Sequence, residues 1–149
     1  MTRNIKLFFP QGSSASGKLL LEARRLDGES HCLDGPAEIW YWENGNVREE
    51  TWYVIGRRHR VDGPADICYF QNGVKETEFW YENGALHHEN GPSVIEYRED
   101  GSVKRRLWYL DGKLHRDLGA AVTKIDKKGR IVEEKWFLHG QMLKERAYR

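Results

Sequence analysis

The chain has 149 residues and carries 24 Lys and Arg against 23 Asp and Glu, a formal net charge of +1, so no global field draws it to nucleic acid or to an anionic membrane. At this length one domain of ordinary size is expected. Hydrophobic residues make up 39% and charged residues 32%, with six Trp, seven Tyr and five Phe, which suits a thin body held by large rings better than a deep globular core.

The first ten residues, Met1-Thr-Arg-Asn-Ile-Lys-Leu-Phe-Phe-Pro10, are too short an apolar run for a signal peptide, and no stretch approaches the ~20 apolar residues of a membrane span. Cys32 and Cys68, the two cysteines, fit neither a CxxC pattern nor a multi-bridge framework. A reducing, cytoplasmic setting without membrane contact is therefore expected. Residues up to about 30 hold a degenerate first copy of a repeat that then runs in register to the end.

The period is 28: Gly35-Pro36, Gly63-Pro64, Gly91-Pro92 and Gly119-Ala120 share one position, and Trp52-Tyr53, Trp80-Tyr81, Trp108-Tyr109 and Trp136-Phe137 share another. Glycines at 17, 45, 73, 101 and 129 form a further series, and those at 28, 56, 84, 112 and 140 another; only Gly12 stands outside the lattice. A single repeat domain, 1–149, follows, with copies at about 31–58, 59–86, 87–114 and 115–142 and a tail at 143–149.

Within a copy, Asn44-Gly45, Asn72-Gly73 and Asp100-Gly101 are the residues of two-residue hairpin turns with φ > 0 at both central positions. Upstream of them Ala37, Ile39 and Tyr41, then Ala65, Ile67 and Tyr69, then Ser93, Ile95 and Tyr97 recur at every second position, the period of a half-buried strand. Downstream a strand of about eight residues runs to the Trp-Tyr pair. A second turn, Asn83-Gly84 or Asp111-Gly112, leads through a bent connection to the next copy. The expected fold is all-β: an elongated antiparallel meander of tandem hairpins, roughly ten strands in a single, strongly twisted sheet. Central Trp80 and Trp108 are expected as buried core, and Gln141–Arg149 as a short helix or a frayed end.

Trp80-Tyr-Glu-Asn-Gly-Ala-Leu-His87, Gly91, Tyr97 and Asp100-Gly101 resemble the MORN repeat, from about residue 28 to nearly the end of the chain. Two departures make it a variant: Arg60, His88 and Arg116 replace the second Gly of the family's His-Gly pair, and the unit is several residues longer. Gly56-Arg-Arg-His-Arg-Val-Asp-Gly-Pro-Ala65 is also similar to repeats of phage and large-virus proteins and, more distantly, to MORN-variant antitoxins. The resemblance implies an elongated hairpin sheet with a contact role and no activity, in the host cytoplasm if the protein is viral.

Residue by residue, His31, His59, His87 and His115 occupy one repeat position. Successive copies are two strands apart, on the order of 9–10 Å, too far for ligands of one zinc ion, so no metal is expected and each imidazole should tie its connection to nearby backbone. Asp34, Asp62 and Asn90, each before Gly-Pro, should hydrogen-bond a turn. Such evenly repeated polar residues do not form the asymmetric constellation of an enzyme, so neither catalytic residues nor a cofactor are expected. Arg57, Arg58 and Arg60 cluster on one connection, where they are either solvated edge charge or an anion site. Trp40, Trp42 and Phe70 form an apolar strip that later copies replace with Glu96, Arg98, Lys124 and Asp126. That strip is either a contact face or lies under the N-terminal segment with Phe8 and Phe9.

These readings point to a non-enzymatic protein that binds a macromolecular partner, a protein rather than nucleic acid, with self-association through the aromatic face or an edge strand as a further expectation. By resemblance it extends to a viral inhibitor of a host defence factor. The alternatives are a small-anion or nucleotide binder using the arginines, and an antitoxin-like component.

Overall fold

The computed structural model describes all residues, Met1–Arg149, and contains strands and turns without helix. β1 (Thr2–Phe8) and β2 (Leu19–Leu26) open the chain, and β3 (Glu29–Ser30) turns back on β2. Then comes a unit of one long and one short hairpin: β4 (Glu38–Tyr41), β5 (Val47–Thr51), β6 (Tyr53–Val54) and β7 (Arg57–Arg58). It recurs as β8 (Asp66–Tyr69), β9 (Lys75–Phe79), β10 (Tyr81–Glu82) and β11 (Ala85–Leu86), and as β12 (Val94–Tyr97), β13 (Val103–Leu107), β14 (Tyr109–Leu110) and β15 (Lys113–Leu114). The last copy has β16 (Val122–Ile125), β17 (Ile131–Leu138) and β18 (Gln141–Ala147).

The long hairpins join into one antiparallel sheet of 12 strands in the order β1-β2-β4-β5-β8-β9-β12-β13-β16-β17-β18, with β3 on β2. It is an open meander with outer edges at β1 and β18. The short hairpins β6–β7, β10–β11 and β14–β15 pair only within themselves. The C-terminal segment is neither helical nor frayed. It completes the sheet as β18, because β17 runs straight on where earlier copies break at the Trp.

The two-residue turn expected at Asn44-Gly45 and its repeats is found instead at the short hairpins. At Asn44-Gly45 only the glycine has positive φ, 91°; Gly45 N–H donates to Trp42 O at 2.9 Å and Trp42 N–H to Asn46 O at 2.8 Å. This is a type I turn closed by a left-handed glycine, a three-residue loop. Asn44 Oδ1 accepts the Asn46 N–H at 2.9 Å, and Asn72 and Asp100 make the equivalent bond; in the last copy Lys128 holds that position, and Asp126, two residues earlier, accepts from the Lys128 and Arg130 N–H groups instead. Asp34, Asp62 and Asn90 make no such bond; the Asx role belongs to this turn. Both central residues have positive φ in the short hairpins instead, as at Asn83 (51°) and Gly84 (89°). The β-branched Ile55, at 46°, sits in that conformation at a steric cost.

Only 21 of 149 residues are buried, so cohesion comes from rows of contacts between neighbouring copies. Val94, Leu107 and Val122 form the core on one sheet face, where the register sets Val94 against Phe79 and Leu107, and Leu107 against Val122. Leu86 and Leu114 pack on them from the short hairpins, with Tyr109 and Phe137, which shows that these hairpins fold over that face. Trp80 and Trp108 are half-buried and lie outside the cluster; the apolar centre is aliphatic because the short hairpin brings its Leu, and not the Trp, onto the sheet.

Candidate binding surface

The connections between copies are built on a recurring stack. Arg60 Cζ lies 4.0 Å from the Trp52 ring centroid and Arg116 Cζ 4.0 Å from that of Trp108. His88 stacks on Trp80 at 4.0 Å and 6°, and Lys144 Nζ sits 4.2 Å from the Trp136 centroid. Each of the two guanidinium groups also donates to a carbonyl just past the Gly, Arg60 to Pro64 O and Arg116 to Ala120 O, both at 3.2 Å; His88 Nδ1 is 3.1 Å from Pro92 O. A Cβ on Gly63 would lie 2.9 Å from Arg60 Cζ, and one on Gly91 2.7 Å from His88 Cε1. The Gly of Gly-Pro is thus a steric requirement: a flat cation or imidazole is held between it and the indole.

Each imidazole of the ladder reaches one copy ahead. His31 Nδ1 accepts from Ile55 N–H at 3.2 Å, His59 Nδ1 from Asn83 N–H at 3.3 Å, and His115 Nδ1 from His139 N–H at 3.2 Å. His87 departs from the series, its Nδ1 lying 3.4 Å from Asp111 Oδ1 without a hydrogen-bond partner.

Between successive connections lie three clefts related by the repeat. The first, about 710 Å³, is lined by Leu33, Asp34, Trp52, Val54, Arg60 and Asp62. The second, about 320 Å³, lies among His59, Val61, Trp80, His88 and Glu89, and the third, about 600 Å³, among His87, Trp108, Leu110, Arg116 and Asp117. They follow one another at one repeat, two strands or on the order of 9–10 Å. Leu33 (75% exposed), Val61 (80%) and Leu118 (88%) stand out from the connections beside them.

The arginines expected to act together are separated. Arg57 is exposed on the short hairpin. Arg60 is committed to Trp52. Arg58 points under the hairpin, between Tyr53 and Tyr81 at 5.8 and 5.4 Å, with Nε 3.2 Å from Asp66 Oδ2. Side chains of neighbouring residues in a two-residue strand leave on opposite faces, which is why adjacency in sequence does not become convergence.

Arg58 and Asp66 occupy the positions that Leu86 and Val94 hold one copy later. Burial pushes the Asp66 carboxyl up to about 6, Glu49 adding to the rise and Arg58 opposing it. Burial also pushes the Cys68 thiol up to about 12. Glu49, Asp66 and Cys68 are the set closest to a metal donor group, with ligand atoms within 4.8 Å of one another. As arranged, the Arg58 guanidinium faces the Asp66 carboxylate, so the set holds an internal ion pair. This cluster was legible only by aligning the copies and asking where an apolar position turns polar.

Trp40, Trp42 and Phe70 are all half-buried. Trp40 stands opposite Leu21 and Glu49, and Arg48 Cζ lies 5.2 and 5.7 Å from the Trp40 and Trp42 rings. Trp42 Nε1 donates to Tyr69 O in the next copy at 3.0 Å, a bond Phe70 cannot make. From the N-terminal part, Ser14 Oγ and Lys18 Nζ bond Glu43, at the turn beside Trp42, while Phe8 stays 55% exposed on the edge strand. Trp42 therefore has a role inside the array, whatever it also contacts.

No family model matches the chain, and neither a curated protein nor a solved structure matches it. No helix is long and apolar enough to cross a membrane.

Proposed function

We propose that this protein is a non-enzymatic repeat scaffold whose connection edge, together with the Trp40, Trp42 and Phe70 strip that runs toward the turn end of the strands, binds a macromolecular partner, a protein. The observation that carries the reading is the row of three clefts repeated in step with the sequence. One cleft lined by unlike residues would suit a small substrate; a file of similar clefts suits a partner long enough to cross several copies. Exposed Leu33, Val61 and Leu118 beside the clefts supply apolar contact that the monomer leaves in water. Ile55, 65% exposed at φ 46° where Asn or Gly would be unstrained, fits the same account, since strain on a surface residue is retained where the side chain has a contact to make.

The anion-binding alternative is less favoured, because Arg57, Arg58 and Arg60 do not converge. A viral setting with a host factor as partner rests on the repeat resemblance alone. Immobilised parent protein and the triple variant Leu33→Glu, Val61→Glu, Leu118→Glu should be compared for capture from the source cell extract. A protein retained by the parent and lost by the variant, with unchanged Tm, supports the reading. Equal retention, or no retained protein, rejects it.

A further inference from the structure

We propose that β1 is a self-association edge that pairs antiparallel with β1 of a second copy, about a two-fold axis through Ile5. All seven residues of Thr2–Phe8 are exposed, including Ile5 (38%), Leu7 (47%) and Phe8 (55%), and the strand is paired on one side only. Arg24 donates to Ala37 O at 2.7 Å and accepts from His31 N–H at 3.1 Å, so its backbone faces away from β1. By antiparallel alternation Leu21, Ala23 and Arg25 face β1, opposite Leu7, Ile5 and Arg3. The N–H and C=O groups of Thr2, Asn4 and Lys6 therefore point outward.

A two-fold normal to the sheet keeps each residue on its face, so only registers with an even residue sum are open. The one centred on Ile5 makes Asn4 and the partner's Lys6 a hydrogen-bonded pair, with Ile5 opposite the partner's Ile5 and Arg3 opposite the partner's Leu7. No like charges meet directly, and the apolar side chains of Ile5 and Leu7 gain cover beside Ala23 and Leu21. The other outer edge behaves differently. Tyr148 N–H donates inward to Val132 O at 2.8 Å, so Glu145 and its alternates face out in β18. A two-fold near the middle of that strand either opposes Lys144, Glu145 or Arg146 to its own copy, which is destabilising, or is centred on Leu143, the residue that the bulge between β17 and β18 leaves unpaired. β1 thus offers a register free of like-charge pairs, centred on a regularly paired residue, where β18 offers only charged or bulged centres near its middle, which selects a second copy at β1 as the occupant. The product is a two-fold dimer with the two sheets continuous through β1, leaving the clefts of both copies open.

Sedimentation velocity on the full chain tests this. The expected result is a concentration-dependent rise from 17.5 kDa to twice that mass. Ile5→Lys, which sets two lysines face to face on the axis, and Asn4→Pro with Lys6→Pro, which removes outward N–H donors while leaving the β2 side paired, should each return the monomer. Leu143→Lys on β18 should leave the dimer intact. In a Cys32→Ser, Cys68→Ser background, Ile5→Cys should oxidise to a covalent dimer, because opposed Cα atoms at such a pair are about 4.5 Å apart, within reach of a disulfide. A monomer at every concentration overturns the proposal. So does a dimer that survives Ile5→Lys, and so does an Ile5→Cys chain that oxidises no faster than Leu143→Cys in the same background.

Discussion

Replacing Arg58 by Leu and Asp66 by Val gives this junction between copies the residues that the next two junctions already carry at these positions, Leu86 with Val94 and Leu114 with Val122. A buried ion pair exchanged for apolar residues typically gains 1–4 kcal/mol. Arg58 keeps 37% of its side chain in water against 6% for Asp66, so the lower part of that range applies, about 1–2 kcal/mol, or roughly 3–6 °C in Tm for a chain of this size. Arg58→Leu alone strands the carboxylate beside Glu49. Because Asp66 already titrates at about 6, it can escape by taking a proton, which at pH 7 costs only about 1.4 kcal/mol and at pH 5 almost nothing. The single variant should thus be destabilised by about that amount at pH 7 and match the parent at pH 5. The double variant should exceed the parent at pH 7. Urea unfolding followed by tryptophan fluorescence at both pH values measures this. A double variant less stable than the parent, or a single variant with an equal deficit at both pH values, would refute the reasoning.

Asp66→Asn isolates the same titration: the folded-state value lies above the ordinary one, so the stability it contributes is complete at low pH and is lost as pH rises through about 6. The parent should lose stability relative to Asp66→Asn between about pH 4 and 6 and level off above that, and parallel curves would rule the linkage out. Ile55→Asn relieves a β-branched residue at positive φ and should raise stability by about 1 kcal/mol while weakening partner capture; a lower Tm would show that the turn is not strained. Gly63→Ala brings a methyl against the Arg60 guanidinium and should cost about 1–3 kcal/mol, partly recovered by Arg60→Gly in the same chain, as a thermal double-mutant cycle would reveal. Trp108→Ala, at a half-buried site, should cost less than Leu107→Ala, measured by urea titration, and the reverse order would place the core with the indoles.

The period, the hairpin architecture and the meander were legible because glycine and Trp-Tyr positions recur without an insertion, and each hairpin must pair with the next. The turn types were not, because Asn-Gly serves both a two-residue turn and the last two positions of a three-residue loop. What separates them is the bond from Gly45 to Trp42, which local composition does not encode. The aromatic core was overestimated for a related reason. Strand alternation tells which residues share a face, but only the fold-back of β10–β11 and β14–β15 decides which face is covered. At the surface, the Trp and the cation eight residues later were each visible, as Trp52 with Arg60 and Trp108 with Arg116, but their stacking depends on how the connection bends. The clefts needed that bend too.

Every main-sheet strand pairs with the main-sheet strands just before and after it in the chain, so no strand pairing waits for a distant segment. During synthesis each hairpin can therefore dock on a finished predecessor as soon as the ribosome releases it, so the sheet can lengthen in the direction of translation. The histidine ties add a check to that growth, because His31, His59 and His115 are satisfied only when the turn 24 residues later arrives. A nascent chain halted between copies would carry a docked but unlatched last hairpin, the piece most exposed to proteases, and β18 would be the last segment to leave that state.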